Sequence, residues 1–367
     1  MEVLKLMNSI PNWKDVLSVD PYNITIKEDG EFVLLKYSQI DSDFNLRIVR
    51  ECRGAIFAFD EQFNYWTCVR RAFDKFGNYG EGYAADIDWN TAVVQEKIDG
   101  SLMSVWNYKG EWHISTNGTI NAFKAPLGDT GLTFGEYFVE CLNCSLETFF
   151  CKLNPCYCYT YEMVGPMNRV VIPYMEPKLY AIGQRNMLTM EEVPYNGPLG
   201  AEYNVWTPAY HELETLDQVI AAAKEMSKDE EGFVVRDWRM NRIKVKSPEY
   251  LMAARLHNNG VITKKRLIEI VLTEKVDDFV AYCPMYKARL LEIEDVFNQI
   301  KCEIASELDW VEDNHYFSLA RAEFAKVIKD FKYKHFLFGA YKGKYETIKE
   351  YLYSQKPEQI LKLIESL

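Results

Sequence analysis

The sequence predicts an α+β chain in which an antiparallel-sheet domain is followed by an all-helical domain. Short runs of β-branched and aromatic residues, separated by Gly, Asp and Asn, dominate up to residue 249. Beyond Pro248, apolar residues instead recur at spacings of three and four, the period of an amphipathic helix. A chain of 367 residues is long enough for two separate cores. We therefore expect domains at 1–249 and 250–367.

The β-rich runs of the first domain are short and are separated mainly by turn residues, which favours antiparallel pairing. Two longer stretches with helical spacing interrupt them, at 134–150 and 215–228. The predicted strands cover 32–35, 54–59, 102–106, 112–115, 170–172 and 179–182.

The carboxy-terminal third carries the clearest helical pattern. Residues between 321 and 349 are rich in lysine and in aromatic side chains, a mixture that suits phosphates and unstacked bases. A helix with solvated lysines and buried aromatic side chains produces the same mixture, so both interpretations stay open. One predicted helical face is formed by Leu290, Ile293, Phe297, Ile300 and Ile304.

The net charge of −12 argues against a protein that coats nucleic acid, because phosphate binding needs a positive field. An enzyme that holds a single nucleic-acid end is not excluded. The amino terminus lacks a basic-then-apolar order, and no stretch approaches the length of a membrane span. We expect a soluble, cytoplasmic chain without membrane attachment, and we expect it to be a monomer.

The nine cysteines are an odd number, and without a secretion signal they are interpreted as reduced thiols. Five of them lie between Cys141 and Cys158, which raises a zinc site as an alternative. The spacing lacks a second C-x-x-C pair, and the neighbouring residues are apolar. Both facts favour thiols packed in a core.

The most informative segment is 96–101, which places Lys97 on a tight turn directly after the apolar run 92–94. Alone this pattern is weak, because Lys and Asp-Gly are common in hairpin turns. A lysine amine becomes a nucleophile only when it is unprotonated, and neighbouring cations favour that neutral form. Lys97 is therefore a candidate covalent nucleophile if cations lie around it.

Such cations are present further along the chain. Arg242, Lys244 and Lys246 alternate with Ile243 and Val245, so in a strand the three cations share one face and the apolar residues the other. The cationic face can neutralise a phosphate, bind a leaving pyrophosphate and act on the lysine nucleophile. An exposed edge strand protected by lysines would have the same pattern.

Several other residues are suited to binding a nucleotide. Glu231 precedes a glycine and a predicted strand, where a carboxylate can hold a metal through water and the glycine allows close backbone approach. Glu162 lies in an otherwise apolar run, where its charge needs a partner such as a ribose hydroxyl, a hydrated cation or the nearby Arg169. Arg53 and Lys75 are candidates for clamping a polyphosphate.

Taken in order, these segments resemble the covalent nucleotidyltransferase superfamily of ATP-dependent ligases and messenger-RNA capping enzymes. More narrowly, the chain resembles the bacteriophage RNA ligase family of the tRNA-repair type, over residues 30–250. The resemblance implies an ATP-grasp-like ligase domain, the adenylyltransferase, at 1–249, and an RNA-recognising helical domain at 250–367. One departure is Asn117, where relatives usually have a basic residue; an amide can hydrogen-bond a ribose but cannot neutralise phosphate.

The resemblance also implies roles for individual residues. Lys97 would accept AMP, with Lys244, Lys246 and Glu231 as the other catalytic residues. The implied metal ligands are Glu162, Glu231, Asp277 and Asp278. The implied ATP contacts are Tyr37, Arg53, Lys75, Glu96, Lys97, Gly100, Asn117, Glu162, Tyr180, Glu231, Lys244 and Lys246.

The implied activity is that of an ATP-dependent RNA ligase. AMP would pass from ATP to Lys97 and then to an RNA 5′-phosphate, and a 3′-hydroxyl would displace it. The implied cofactor is Mg²⁺, with Mn²⁺ as a substitute, and the implied partner is single-stranded or broken RNA, tRNA included. DNA ligases and capping guanylyltransferases share the motifs, but they append a β-barrel where this sequence has helices. A non-catalytic RNA-end-binding protein is a further alternative.

Overall fold

The computed structural model of the chain describes residues 1–39, 41–128, 130–227, 229–250, 264–272, 280, 287–345, 348–355 and 357–365. The chain divides into two compact units, residues 1–257 and 258–367. Within the described ranges, strands and short helices make up the first unit and helices make up the second. The predicted α+β class, with antiparallel sheets followed by a helical carboxy-terminal part, is confirmed. The predicted boundary after residue 249 stays a prediction.

The amino-terminal sheet has four antiparallel strands in chain order, β1-β2-β3-β4. Val33 and Phe57 on one face pack against the preceding helices, while Leu34 and Ile56 on the other face contact Trp106 of the next sheet. Both faces are therefore buried. The strands are β1 (Ile24–Asp29), β2 (Phe32–Tyr37), β3 (Arg53–Asp60) and β4 (Tyr65–Arg70), and the helices are α1 (Glu2–Ser9), α2 (Trp13–Ser18) and α3 (Arg47–Glu51).

The central sheet has six strands, with the order β10-β9-β8-β6-β7 and with β11 paired parallel to β9. Phe138 and Phe149, from two short helices, pack on Tyr161 of β8 in the core of this sheet. The strands are β6 (Ser101–Tyr108), β7 (Glu111–Thr116), β8 (Tyr157–Val164), β9 (Lys178–Asn186), β10 (Glu192–Val193) and β11 (Val205–Trp206), and the helices are α4 (Phe134–Glu140) and α5 (Leu146–Phe150).

A third sheet brings distant parts of the sequence side by side in the antiparallel order β12-β5-β13-β14. Val219 and Ala223 of a covering helix pack on Val94 and Val235. This sheet places the segment before Lys97 next to the two later candidate motifs. Its strands are β5 (Val93–Glu96), β12 (Tyr210–His211), β13 (Gly232–Arg236) and β14 (Arg242–Lys246), and its helix is α6 (Leu216–Glu225).

The two helical predictions in the first unit are corrected at their ends. The stretch 134–150 forms two helices, because Ser145 begins the second one by accepting a hydrogen bond from the amide of Thr148. The second prediction, 215–228, is shortened to α6, with Thr215 capping its first turn. In both cases a hydroxyl side chain fixes where the helix begins.

The predicted strand at 170–172 is wrong, because these residues form an irregular loop. The backbone amides of Val171 and Ile172 donate to the carboxylate of Asp99, at 2.8 and 2.9 Å, instead of to a neighbouring strand. A side-chain acceptor has taken the place of a ladder partner. The apolar composition of the run could not reveal this.

The second unit is helical in the part of it that the structure describes, and the long helix buries the five apolar residues predicted to share one face. Among the described residues, no helix combines the length and the apolar character needed to cross a bilayer. The helices are α7 (Lys264–Leu272), α8 (Lys287–Asp313), α9 (Arg321–Val327), α10 (Lys334–Tyr341), α11 (Ile348–Ser354) and α12 (Pro357–Glu365).

Candidate active site

Lys97 follows β5 directly and is held by its backbone between two other segments. Its amide donates to the carbonyl of Gly232 at 2.8 Å, and the amide of Glu96 donates to the carbonyl of Ala209 at 2.8 Å. The side chain is 21% exposed, and its Nζ lies 2.7 Å from Oε2 of Glu231. The candidate nucleophile therefore lies in a partly closed site and not in open solvent.

Glu231 joins Lys97 to one of the two predicted lysines of β14. Its carboxylate is almost fully buried, and its Oε1 lies 3.2 Å from Nζ of Lys246. The pairing of Gly232 with Lys246 across β13 and β14 fixes this arrangement. The sequence predicts cations around Lys97, whereas the structure places a carboxylate as its direct partner, with Lys246 on the other oxygen.

Glycines allow the strands around Lys97 to approach closely. Gly232 has φ +138°, and a Cβ there would overlap with the carbonyl oxygen of Val245. At Gly100 a Cβ would overlap with the carbonyl oxygen of Met163. A larger residue at Gly100 would push the nucleophile turn away from β8, and a larger residue at Gly232 would push β13 away from β14. Gly100 thus has a packing role, and nothing in the geometry requires it to contact ATP.

Glu162, on β8, is electrostatically coupled to this pair. Burial raises the pKa of Glu162 to about 7, the carboxylates of Glu231 and Asp99 act in the same direction, and Lys97 and Arg53 lower it. The predicted carboxylates and the predicted nucleophile therefore lie within one electrostatic cluster. A carboxyl group with a pKa near neutrality fits a site that is completed by a cation or a hydroxyl donor.

Asp99 holds the nucleophile turn to two other segments, a role that the sequence did not predict. The residue is 4% exposed, and in addition to the amides of Val171 and Ile172 its carboxylate accepts a hydrogen bond from the Tyr250 hydroxyl at 3.0 Å. Its own amide donates to the Tyr174 hydroxyl at 3.4 Å. The only signal in the sequence was an Asp-Gly pair, which usually marks a turn.

The two lysines of β14 are buried, so the alternative of an exposed, lysine-protected edge strand does not hold. Lys244 is 9% exposed and the side chain of Lys246 is 6% exposed. Ile243 and Val245 pack into the core on the opposite face, as the alternation predicted. Arg242 is different from the lysines, because it forms an ion pair with Glu192.

The third cation of the predicted row is thus diverted from the nucleotide site. The guanidinium of Arg242 also stacks over the ring of Phe73, at 4.5 Å from its centroid. Glu192 lies on the short strand β10, 50 residues before Arg242, and no local sequence pattern links the two. The strand alternation predicted the face correctly but could not predict this partner.

Arg53 and Lys75 lie among aromatic rings. Nη1 of Arg53 is buried and has no hydrogen-bond partner, and its guanidinium lies 5.5 Å from the centroid of Phe76. Lys244 approaches the same ring at 5.7 Å. A buried donor without an acceptor is costly unless a ligand supplies one, and a phosphate oxygen would do so. Arg53 and Lys244 therefore flank a place suited to phosphate.

The ammonium group of Lys75 lies inside a cage of three rings. Its Nζ is 4.3 Å from the centroid of Phe44, 5.3 Å from that of Tyr37 and 5.9 Å from that of Tyr83. Cation–π contacts with several rings fix the position of a buried ammonium group. The structure thus brings Tyr37 and Lys75 together, as the resemblance implied, and leaves their contact with ATP a prediction.

The remaining predicted ATP contacts lie on three different strands or turns. Burial raises the pKa of Glu96 and of Tyr180, and the charge of Glu96 adds to the effect on Tyr180, so the two groups are neighbours. Asn117 accepts a hydrogen bond from Nη2 of Arg70 at 3.1 Å. Arg70 is fully buried, also donates to Ser104 at 2.7 Å, and was missed by sequence reasoning. Its burial lowers its pKa to about 10.

The part of the chain that the structure describes contains no group of three or more His, Cys, Asp or Glu side chains placed to hold a metal ion. Of the five cysteines in the cysteine-rich region, Cys141 and Cys158 are buried in two different cores, as expected for packed thiols, whereas Cys144 and Cys156 are half-buried and Cys151 is exposed. The two other predicted metal ligands, Asp277 and Asp278, lie outside the described residues.

A sequence model of the RNA ligase family matches residues 51–250. This match covers more than half of the 367 residues and includes Lys97, Glu162, Glu231, Lys244 and Lys246. The chain belongs to the RNA ligase family. The predicted resemblance to bacteriophage RNA ligases is confirmed at the level of this family.

Two relatives extend the comparison. An RNA ligase of Rhodothermus phage RM378 is 26% identical over 356 residues, covering 81% of this chain and 80% of that protein. A protein of Autographa californica nuclear polyhedrosis virus, named as a bifunctional polynucleotide kinase/RNA ligase, is 28% identical over 301 residues. That match covers 76% of this chain but only 42% of the viral protein.

Two solved structures with similarity to this chain are also RNA ligases by name. A Naegleria gruberi RNA ligase variant with ATP and Mn is 16% identical, with a TM-score of 0.35, over 45% of this chain and 52% of that one. An archaeal ATP-dependent RNA ligase is 14% identical, with a TM-score of 0.44, over 77% of this chain and 73% of that one. The chain thus spans about half of the Naegleria protein.

Proposed function

We propose that this chain is an ATP-dependent RNA ligase that forms a covalent lysyl-AMP at Lys97. The observation that carries the proposal is the buried carboxylate of Glu231, with Lys97 at 2.7 Å from one oxygen and Lys246 at 3.2 Å from the other. An ion pair that only stabilises the fold needs one ammonium group. Here the ammonium groups of Lys97 and Lys246 both contact the carboxylate of Glu231, near Glu162. Membership of the RNA ligase family supports the same activity.

The first step joins Lys97 to AMP. The lone pair of Nζ forms a bond to the α-phosphorus of ATP, the bond from that phosphorus to the bridging oxygen breaks, and pyrophosphate leaves. Glu231 is within hydrogen-bond reach of Nζ and is positioned to accept the proton that Lys97 must release. Lys246, Lys244 and Arg53 would neutralise the phosphates during the transfer.

A divalent cation is part of the proposal. We propose Mg²⁺, with Mn²⁺ as a substitute, held by Glu162 and Glu231 together with phosphate oxygens of ATP. This fits a site with two carboxylates, because Mg²⁺ is usually bound by one or two carboxylates plus substrate phosphates and water. The cation would neutralise the triphosphate and orient the leaving pyrophosphate.

The later steps use RNA. AMP would pass from Lys97 to the 5′-phosphate of an RNA end, and the 3′-hydroxyl of a second end would then displace AMP and seal the strand. We propose single-stranded or broken RNA, with tRNA among the substrates, and a monomeric enzyme that acts in the cytoplasm. Similarity to the phage ligase over most of both chains supports RNA as the substrate class.

The decisive test is adduct formation with ATP labelled in the α-phosphate. Lys97→Ala should reduce the labelled adduct to background, because the amine that is proposed to bond to the α-phosphorus is then missing from the turn after β5. Lys109→Ala is the matched control, since Lys109 also pairs with a glutamate, Glu31 at 2.9 Å, but on the exposed surface. Full adduct formation by Lys97→Ala would overturn the assignment.

The rival functions differ in substrate and can be separated in the same assay. In the part of the chain described beyond residue 263 the elements are helices, whereas DNA ligases and capping guanylyltransferases have a β-barrel directly after the nucleotidyltransferase domain. A labelled adduct with GTP but not with ATP would favour the guanylyltransferase. Sealing of nicked DNA in preference to RNA ends would favour the DNA ligase, and a chain that binds RNA without any adduct would be the non-catalytic protein.

A further inference from the structure

A strongly cationic pocket lies in the first unit, beside the nucleotide site. It has a volume of about 760 Å³ and is lined by six arginines and one lysine against three carboxylates. The lysine is Lys75, an implied ATP contact, so the pocket adjoins the proposed place of the triphosphate. This concentration of positive charge is found in a chain whose net charge is −12. We call it the arginine pocket. A cluster of cations that a protein keeps against its overall charge indicates an anionic ligand.

Internal pairing neutralises only part of this charge. Arg71 pairs with Asp74 at 2.7 Å, and Glu192 is shared by Arg185 and Arg242. Arg50 donates to the backbone carbonyls of Phe44 and Asn45, at 2.6 and 2.9 Å. Neither Arg50 nor Arg239 has a carboxylate partner in the described part of the chain. These two arginines contribute positive charge to the pocket that no carboxylate compensates.

The rim of the pocket carries an exposed aromatic ring on a rigid turn. Trp238, in the turn between β13 and β14, is 60% exposed. The turn is fixed by the buried Asp237, which accepts hydrogen bonds from the amides of Arg239 and Asn241 at 2.9 and 3.0 Å. Arg239 stacks on Trp238, with its guanidinium 5.0 Å from the ring centroid. A ring held in water beside a cation is suited to stacking with a nucleobase.

The pocket and the nucleotide site are connected along one strand. Lys246 contacts Glu231, Lys244 lies beside Phe76, and Arg242, on the same face, lines the pocket. Four residues of strand separate Arg242 from Lys246, which is about 13 Å at 3.3 Å per residue. This equals the length of about four stacked nucleotides at 3.4 Å each.

We propose that the arginine pocket and Trp238 bind the single-stranded RNA substrate, with phosphates in the pocket and a base stacked on Trp238, a few nucleotides from the end that reacts at Lys97. This inference rests on the proposed function and says where on the protein the RNA substrate binds. ATP is the less suitable occupant, because it has one base, and the proposed position of that base is beside Tyr180 on β9. RNA supplies both the phosphates and the additional base.

The test measures RNA binding without chemistry. A single-stranded, 5′-phosphorylated RNA with a fluorophore at its 3′ end is titrated with the full chain in the absence of ATP, and anisotropy is recorded. Trp238→Ala should weaken binding about ten-fold or more, as expected for the loss of one base–aromatic stack, and Trp238→Phe should restore most of it. Arg239→Ala should reduce the dependence of log affinity on log salt by about 0.7, the value for one lost phosphate contact with a single strand.

Phe63→Ala is the matched control. Phe63 is 73% exposed, and its turn between β3 and β4 is fixed by Asp60 in the same manner as the Trp238 turn is fixed by Asp237. RNA affinity should change less than two-fold in this variant. Adduct formation with ATP alone should be retained in Trp238→Ala, since the ring is not part of the described Lys97 site.

The outcomes separate the pocket from the proposed function. RNA affinity in Trp238→Ala equal to that of Phe63→Ala would overturn the inference. If Trp238→Ala loses adduct formation but keeps its RNA affinity, the pocket serves ATP and the inference is overturned. If Trp238→Ala has a normal melting temperature but loses adduct formation and RNA affinity to the same extent, the inference is also overturned. A wild-type chain that forms no adduct contradicts the proposed function. The RNA affinities from the anisotropy titrations would still show whether RNA binds in the pocket.

Discussion

Asp99 and Glu231 are two buried carboxylates whose charges are compensated in different ways. Burying a charge is unfavourable unless it is paired or hydrogen-bonded. Asp99 is satisfied by two amides and a hydroxyl, and its partners belong to a loop and to residue 250. Glu231 is satisfied by two ammonium groups. The first arrangement is structural, and the second leaves charged groups that a substrate can reorganise.

We predict that Asp99→Ala lowers the free energy of unfolding by about 3 kcal/mol, because it removes the acceptor of two backbone amides and of the Tyr250 hydroxyl in a largely buried place. The measurement is urea denaturation followed by circular dichroism. Asp60→Ala is the control, since Asp60 accepts from two amides in an exposed turn, and it should lose less than about 1 kcal/mol. Equal losses in the two variants would contradict a special role for Asp99.

Sequence reasoning identified the charged residues of the site better than their partners. The resemblance implied a common site for Lys97, Glu162, Glu231 and Lys246, and the structure brings all four together. The pairing of Arg242 with Glu192 and the burial of Arg70 were not predictable, because each depends on residues that meet only through tertiary packing. A pattern of residue types fixes a strand face but carries no information about a partner far away in the sequence.

At the scale of elements, the site depends on how closely β6 and β8 approach beside the nucleophile turn. The contact is made at Gly100, immediately before β6, where a side chain would meet the end of β8. Some of the strands were predictable from their composition, and five of the six stretches predicted from it lie in strands. The loop at 170–172 was not predictable, because the backbone amides of its apolar residues donate to the carboxylate of Asp99 and not to a neighbouring strand.

We predict that Gly100→Ala destabilises the chain by about 2 kcal/mol and slows formation of the labelled adduct, because the new methyl group overlaps with the backbone of Met163 and must displace the turn that carries Lys97. Thermal melting and single-turnover adduct formation measure the two effects. Gly82→Ala is the control, since a Cβ there meets no atom within 4 Å. Gly100→Ala that behaves like Gly82→Ala would show that the close approach is unimportant.

At the scale of the whole molecule, the described candidate site belongs to one of the two compact units. The described site residues lie between Tyr37 and Tyr250, within the unit 1–257. The two-unit organisation was predictable from the change of hydrophobic period. The substrate surface was not, because Trp238 and the arginines of the pocket come from separate segments of the sequence.

We predict that a chain ending after residue 257 still forms the lysyl-AMP adduct at a rate within about ten-fold of that of the full chain, because the described charges around Lys97 lie within this unit. Adduct formation with labelled ATP is the measurement, with the full chain as reference. A cooperative thermal transition would show that the shortened chain folds. A folded chain without adduct would mean that the helical unit contributes to the first step.

The lysine-rich and aromatic region of the helical unit now favours one of its two interpretations. Phe324, Tyr333 and Phe336 are buried, which removes them as surfaces for base stacking. Lys332 pairs with Glu303 at 2.8 Å, and Lys334 donates to a backbone carbonyl. An amphipathic set of helices explains the buried rings, whereas Phe331, Phe338, Tyr341 and Tyr345 are half-buried, so burial does not remove base stacking at those four rings.

The shared carboxylate of Glu231 has an electrostatic consequence for the adenylylated enzyme. In the proposed reaction, attachment of AMP would replace the ammonium charge of Lys97 with an anionic phosphoramidate, a local change of about two elementary charges within a few ångströms of Glu231. The loaded protein would hold two anions close to each other, with Lys246 on Glu231 and with Lys244 and Arg53 as the other cations proposed for the phosphate. Like charges at such short range raise the energy of the intermediate, and this repulsion favours discharge of the nucleotide onto an acceptor.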